Sequence, residues 1–466
     1  MDGYDLVIRG SMLVDPEKLT ITEGNLGVRD GRIAALTRED IHGREVIDAR
    51  GKLVAPGFID IHGHIDGHRE CAALSAVQGV TTTVGGNCGI GPLDLETFFV
   101  EQEQRGFPIN QAQLVGHSIT LREKAGLTDP YQAASPRQIA HMAELAEIAF
   151  QQGAIGLSFG LEYAPGSSWA EITALSRVAA RHRRLVPIHT RMLARGDLAS
   201  LQEAIDINAA TGATVLLSHF VYQYGGGLMG EALALVDDAR RQGLRVMVDS
   251  GMYTAFATFI GSPIFSPAYM KEFGWQPGDL LAATGQYCGL RLTEPLYHEL
   301  REQRPQETVI CFSGNEAEIG DPFLKDYTMV SSDAGPSPSG NTAEGHPQNT
   351  GTFPRFLRKL VREQQKLPLA QAIAQCTLLP AQTLGLARKG RLAPGCDADL
   401  VIFDFDRITD RADFPGLGRP DAPPEGIAAV LVNGRVVARE GVVLPGVLPG
   451  KPIRAGACGR PLSHTG

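Results

Sequence analysis

Six side chains able to bind a metal or move a proton stand where β-strands are expected to end. His62 and His64 lie two apart in Phe58-Ile59-Asp60-Ile61-His62-Gly63-His64, so strand alternation points both imidazoles the same way. Cys88 follows a second strand, in Thr83-Val84-Gly85-Gly86-Asn87-Cys88-Gly89. His189 closes Leu185–Ile188, His219 closes Val215–Ser218, and Asp333 closes Met329–Ser332. Taken singly, Cys88 reads equally as a small buried apolar residue, His189 as a core histidine, and Asp333 as a helix N-cap. Taken together they form a site. Thiolate and imidazole suit Zn2+, and Cys88, His189 and His219 supply the three protein ligands of a catalytic zinc. Asp333 is placed to act as base and then acid. The chemistry this set serves is hydrolysis of an amide or a related C–N bond.

Such a set needs elements that bring distant strand ends together. From about residue 58 onward, strands and helices alternate. Ser135-Pro136 offers an N-cap and a first-turn proline, and Gly153 a stop. Further helices are expected over about 168–181, 198–210 and 230–242, each followed by a short apolar strand. Strand–helix repeats of this length imply right-handed crossovers and a parallel sheet, and a count of about eight strands favours a (β/α)8 barrel. Barrel active sites gather at the C-terminal ends of the strands. Residues 250–325 are too long for one connection and read as an insertion, with Val309–Ser313 as an alternative barrel strand.

Both ends of the chain have a different texture. Short β-type runs flank Asp30-Gly31 and Asn433-Gly434, two hairpin turn signals. Residues 1–55 and 386–466 are therefore expected to form one small β-sandwich domain around a barrel of residues 56–385. A 466-residue chain accommodates both.

Composition narrows the partners. Net charge is −9 and no basic block stands out, which argues against nucleic acid. Apolar runs fall short of the ~20 residues that span a bilayer, and the first ten residues lack a secretion-signal pattern. Seven cysteines without a CxxC pair fit reduced thiols in a cytoplasm. The expected partner is a small molecule.

The sequence resembles the amidohydrolase superfamily and, within it, the N-acyl-D-amino-acid deacylases (D-aminoacylases), over most of its length. The resemblance rests on Ala55–His64, Gly86-Asn87-Cys88-Gly89, Gly153–Tyr163 with its Gly-Leu-Glu-Tyr ending, Gly116-His117, Leu121-Arg122, Ser332-Asp333 and Gly351–Arg355. Lys389–Val401 matches the return to the terminal β domain. The resemblance implies a tight zinc on Cys88, His189 and His219, a weaker second site at His62 and His64, and Asp333 as acid–base. It also accounts for the lack of lysine in Ile155–Tyr163, where other superfamily members carry a metal-bridging carboxylated lysine.

The departures fall on the substrate side. Phe220 and Val221 follow His219 where the family has His and Lys, Gly251-Met252-Tyr253 replaces Tyr-Pro-Tyr, and His346-Pro347-Gln348 replaces His-Pro-Arg. Tyr163, Arg191, Tyr253 and Arg355 remain as candidates to grip an anionic substrate. His117 is a second-layer hydrogen-bonder or a structural histidine, and residues 334–350 form a loop that either gates the site or is plain surface. Gly225-Gly226-Gly227 reads as a flexible loop. A cyclic-amide hydrolase of the hydantoin or dihydroorotate kind and a catalytically silent barrel with a binding role stand as alternatives.

Overall fold

The computed structural model describes residues 3–194 and 196–456. It is a mixed α/β structure with both parallel and antiparallel sheets. Four strands pair in parallel from Phe58–Asp60 through Val80–Gly85 to Asn110–Gln113, and on to Pro452–Ile453 near the C-terminus. A second parallel sheet runs from Val115–Gly116 through Leu157–Gly160, Leu185–His189, Thr214–Leu217 and Val246–Ser250 to Thr328–Val330. Segment 110–116 belongs to both sheets. At the other margin Asp333 N–H donates to the His62 carbonyl (2.9 Å), and His64 N–H donates to that of Ala334 (2.7 Å).

Leu185–His189 is buried along its whole length, and Thr214–Leu217 at all but its first residue, so these two read as apolar runs rather than alternating ones. Ile59, Val84, Ala112, Leu185, Leu216 and Met329 pack into one cluster between the parallel strands. The helices form where the start and stop signals place them. Ser135 makes a capping box with Gln138 ahead of Pro136–Gln152, and Gly153 ends that helix at φ 111°. Ser168 and Glu171 make a second capping box ahead of Trp169–Arg181.

Both ends of the chain share a nine-stranded sheet. Strands within residues 4–56 meet strands within 400–443 where Leu53–Pro56 pairs antiparallel with Leu400–Phe403. Both predicted hairpin turns have left-handed backbone at each central residue, with φ 52° and 72° at Asp30-Gly31 and 48° and 78° at Asn433-Gly434.

The stretch after Ser250 makes its own antiparallel sheet of three strands, Ala255–Phe259, Leu280–Ala282 and Thr308–Phe312. Thr308–Phe312 is the central strand of this sheet, so the alternative placement of Val309–Ser313 among the parallel strands does not hold. A cluster around Phe265, Tyr297, Leu300 and Cys311 gives this sheet a core of its own.

Candidate metal centre and active site

The six residues singled out above converge at the C-terminal ends of the parallel strands. Cys88 Sγ lies 3.4 Å from His62 Nε2 and 3.5 Å from His219 Nε2. His219 Nε2 is 3.0 Å from His189 Nδ1. Asp333 Oδ1 is 3.5 Å from His62 Nε2 and 3.2 Å from His64 Nε2. Two compact triads stand out, His62–Cys88–His219 and His62–His64–Asp333. His62 belongs to both. The sequence reading grouped Cys88 with His189 and His219 and set His62 apart; the geometry makes His62 the pivot.

Buried carboxylates fix the imidazoles from behind. Glu162 Oε2 lies 2.7 Å from His189 Nε2, which leaves Nδ1 facing the cluster. Asp249 Oδ2 lies 3.3 Å from His62 Nδ1, which leaves Nε2 facing it. Asp249 Oδ1 also accepts from the His219 backbone N–H (2.8 Å) and the Ser331 hydroxyl (2.7 Å). A carboxylate on the outer nitrogen sets the tautomer and raises the basicity of the inner one. Asp60 accepts from the Ser332 backbone N–H (3.0 Å) and from its hydroxyl, and so ties the first strand to the last.

The backbone is unusual at three of these positions. Cys88, His219 and Asp333 have φ of 53°, 32° and 56°, the left-handed region that L-residues seldom occupy. Each lies within three residues of the end of a strand. The Cys88 turn also requires a glycine opposite, because a Cβ on Gly160 would collide with the Cys88 carbonyl.

Electrostatics match a cation. Burial works to raise the Cys88 thiol, but the imidazoles of His62, His189 and His219 hold it well below the usual thiol range. Burial likewise opposes ionisation of Asp333, and His64, His62 and His219 outweigh it. For His64, burial favours the neutral ring, yet Asp333 and Cys88 lift it to about 10. Anions and imidazole nitrogens that converge in this way share a need for positive charge at their centre. His219 Nδ1, also buried, has no hydrogen-bond partner. The donor set of thiolate, imidazole and carboxylate suits zinc.

The cluster forms the floor of a cavity of about 800 Å³. The sequence profile of the Amidohydrolase family matches residues 45–247 and 328–438.

The chain belongs to the amidohydrolase family.

As an amidohydrolase it is a hydrolase of carbon–nitrogen bonds other than peptide bonds. It is 32% identical to the N-acyl-D-glutamate deacylase of Alcaligenes xylosoxydans xylosoxydans, with 98% of each chain covered. The structure of N-acyl-D-glutamate deacylase from Bordetella bronchiseptica, with zinc and a phosphonate mimic of the tetrahedral intermediate, superposes at TM-score 0.84. That pair is 32% identical over 97% of this chain and 100% of the other. A D-aminoacylase with a binuclear metal centre, described by one-metal activation and second-metal attenuation, gives TM-score 0.85 at 29% identity over 97% and 100% of the two chains.

The expected substrate contacts fare unevenly in this amidohydrolase. Tyr163 lines the cavity, its ring 5.1 Å from that of His189 and its hydroxyl 3.0 Å from Thr258 Oγ1. Arg191 does not line it. Its guanidinium is spent on Glu203 (2.8 Å) and the carbonyls of Pro165 (2.6 Å) and Ser167 (2.5 Å). The strand ends at His189, so alternation no longer governs the residue two places on. Arg355 is held by Asp410 at 3.1 Å, with its guanidinium 4.6 Å from the centre of the Tyr253 ring. Tyr253 is buried against His346 and Phe414 and likewise lies outside the cavity lining. The anionic-substrate expectation thus loses the two arginines that carried it.

His117 also lies away from the cavity, bonded to Glu171 (2.8 Å), which is ion-paired with Arg122 (2.6 Å). Residues 334–350 border the cavity through Gly335, Pro336 and Gly345, and Glu344 ties the loop to Ser337 (2.8 Å) and Asn341 (3.1 Å). Four residues near the site escaped the sequence reading. Glu162 sits inside a quoted motif and Asp249 ends a predicted strand, so both carried a signal. Gln348 stands out only as the replacement for the family's arginine in His-Pro-Arg, and Tyr222 carries no signal. The Tyr222 hydroxyl donates to Gln348 Oε1 (2.7 Å), and Gln348 Nε2 donates to the Asp333 carbonyl (2.6 Å).

No helix among the described residues is long and apolar enough to cross a membrane.

Proposed function

We propose that this protein is a zinc-dependent deacylase that cleaves the amide of an N-acyl-D-amino acid or a close derivative. The observation that carries the reading is the convergence of Cys88, His62, His189, His219, His64 and Asp333 on one cavity floor. Full-length similarity to deacylases of N-acyl-D-amino acids supports the substrate class. The two parallel sheets are read as one closed (β/α)8 barrel, residues 56–385 with an insertion at about 250–325, supported by their shared 110–116 segment and the backbone bonds between residues 62–64 and 333–334. The nine-stranded sheet is read as the β-sandwich domain of residues 1–55 and 386–466. Six described cysteines are free thiols, which fits a reducing cytoplasm.

Cys88, His189 and His219, with His62 at the pivot, would hold one tight zinc, and His62, His64 and Asp333 a weaker second ion. Zinc bound there supplies a Lewis acid that acidifies water and polarises a carbonyl. Asp333 Oδ takes a proton from the attacking water and returns it to the departing amine nitrogen. His64, 3.2 Å from that carboxylate, orients it, and Gln348 anchors its left-handed backbone. Tyr163 borders the acyl compound beside His189.

Elemental analysis and a substrate panel test this. Zinc-loaded protein should release free amine from N-acetyl-D-amino acids or their derivatives, prefer D over L, and leave hydantoins and dihydroorotate intact. About one zinc per chain should resist dialysis. Folded, active protein devoid of metal would end the reading, and turnover of cyclic amides alone would replace it.

A further inference from the structure

One wall of the cavity comes from the antiparallel sheet of residues 255–312, and it is uncharged. Phe256, Thr258, Phe259, Thr284, Gln306 and Thr308 face the cavity from it. The wall is rigidly backed. Phe256 stacks on Phe265 at 5.9 Å and meets Trp275 at 5.7 Å, while Phe259 stacks on Tyr163 at 5.6 Å. The segment does contain arginines, but they are occupied elsewhere. Arg301 donates to the Ile260 carbonyl (2.5 Å), and Arg291 covers the Phe312 ring at 3.9 Å.

Among the described residues, the rest of the lining adds no free cation. Among the described residues, no lysine or arginine lines the cavity. His346 is neutral: its Nδ1 accepts from the Gln348 backbone N–H (3.0 Å), so its Nε2 carries the proton, directed at the Ala255 carbonyl (3.0 Å). His68 faces Glu70 at 3.1 Å and His64 faces Asp333. Ile90, Pro92 and Ile119 also line the cavity, as does Glu123, an exposed residue. A carboxylate that leaves water needs charge-assisted donors, which arginine supplies best. Threonine hydroxyls and glutamine amides instead suit a neutral amide or ester.

We infer that the substrate is an uncharged N-acyl compound, in which an apolar or aromatic group lies against the insertion wall and the position of a free carboxylate is taken by a neutral amide or ester. This rests on the deacylase reading and narrows its substrate class.

The test pairs N-acetyl-D-phenylalanine with N-acetyl-D-phenylalaninamide, which differ only in the carboxylate. Equilibrium binding to zinc-loaded protein is measured by calorimetry beside amine release. The amide should bind at least tenfold more tightly, and any turnover should show that factor in KM more than in kcat. A Thr308→Arg variant, which puts a guanidinium on the wall, should shrink the preference at least threefold. Equal binding of the pair, tighter binding of the acid, or no binding of either overturns the inference. Tight binding of the amide without amine release upholds it and counts against the deacylase reading alone. Turnover with the acid preferred overturns the inference and leaves the deacylase reading standing.

Discussion

The molecule buries two histidine–carboxylate networks, and they are built to opposite ends. In one, Glu171 accepts from Arg122 at 2.6 Å and faces His117 at 2.8 Å. One full positive charge meets one full negative charge, the histidine remains neutral, and His117 Nδ1 meets the Ser118 hydroxyl at 3.1 Å. That network is complete. In the other, Cys88, Asp333 and four imidazoles crowd inward on each other. A closed network fastens two elements; an open one holds donors ready for something not encoded in the chain. The same residue types serve both, so the balance of charge, rather than the presence of histidine, separates structure from chemistry.

Substitutions can break this contrast. The largest effect is expected from Asp333→Asn, which keeps shape but removes the base. Its rate should fall by about 10²–10⁴-fold while zinc content holds, because the remaining ligands suffice. Cys88→Ser should instead lose zinc and lose activity with it, since a hydroxyl is not a thiolate at neutral pH. Metal analysis beside turnover on both variants separates base from ligand, and the reverse pattern would exchange their roles. In the closed network, Glu171→Ala strands a buried guanidinium. It should cost about 3–5 kcal/mol of stability, read as a lower denaturation midpoint, with the zinc stoichiometry of the folded fraction unchanged.

Acid sharpens the contrast more gently. Although burial opposes it, His117 and Arg122 hold the Glu171 carboxyl below its ordinary value of 4.5. Burial, stronger than the attraction of Glu171, holds His117 below 6.5. Both folded-state values are depressed, so the unfolded chain binds more protons as pH falls. Stability from His117 should start to fade as pH drops through about 6.5, and that from Glu171 below about 4.5, lost as each folded value is passed. In zinc-free protein the site histidines add a slope of opposite sign above pH 6.5, so the test is a difference: the stability gap between wild type and His117→Asn in denaturant titrations should narrow as pH falls through about 6.5. The smallest effect is expected at Tyr222→Phe. Loss of one hydrogen bond to Gln348, about 1 kcal/mol, should lower kcat roughly fivefold and leave zinc binding intact.

Legibility in the sequence followed the range of the interaction. Short-range signals were readable: Ser135 and Ser168 cap the helices they precede, and the Asp-Gly and Asn-Gly pairs turn as such pairs do. The convergence of the six residues is readable too, because so many metal-binding and proton-moving side chains at expected strand ends outweigh the structural role that each could have alone. Arg191 was misread because the strand stops at His189 and a long side chain can then turn toward any nearby acceptor. The uncharged wall was invisible, since residues 255–312 reach the cavity only through contacts such as Tyr163 with Thr258, far apart in the chain. Asp249 shows the remaining gap: its strand was recognised, but nothing local distinguishes a carboxylate that steadies a histidine from one that caps a helix.

The shared sheet of the two chain ends has a consequence for synthesis. Leu53–Pro56 leaves the ribosome early, yet its antiparallel neighbour Leu400–Phe403 follows only after roughly 350 further residues. At about 5–20 residues per second that is roughly 20–70 s during which an apolar strand waits with an open edge. An unpaired edge is a template for any other strand that drifts by. Every residue of the proposed metal site, from His62 to Asp333, emerges within that interval. The nascent chain therefore has every residue of the proposed site in hand before its first sheet can close, and its yield in a cell should depend on what guards that edge in the meantime.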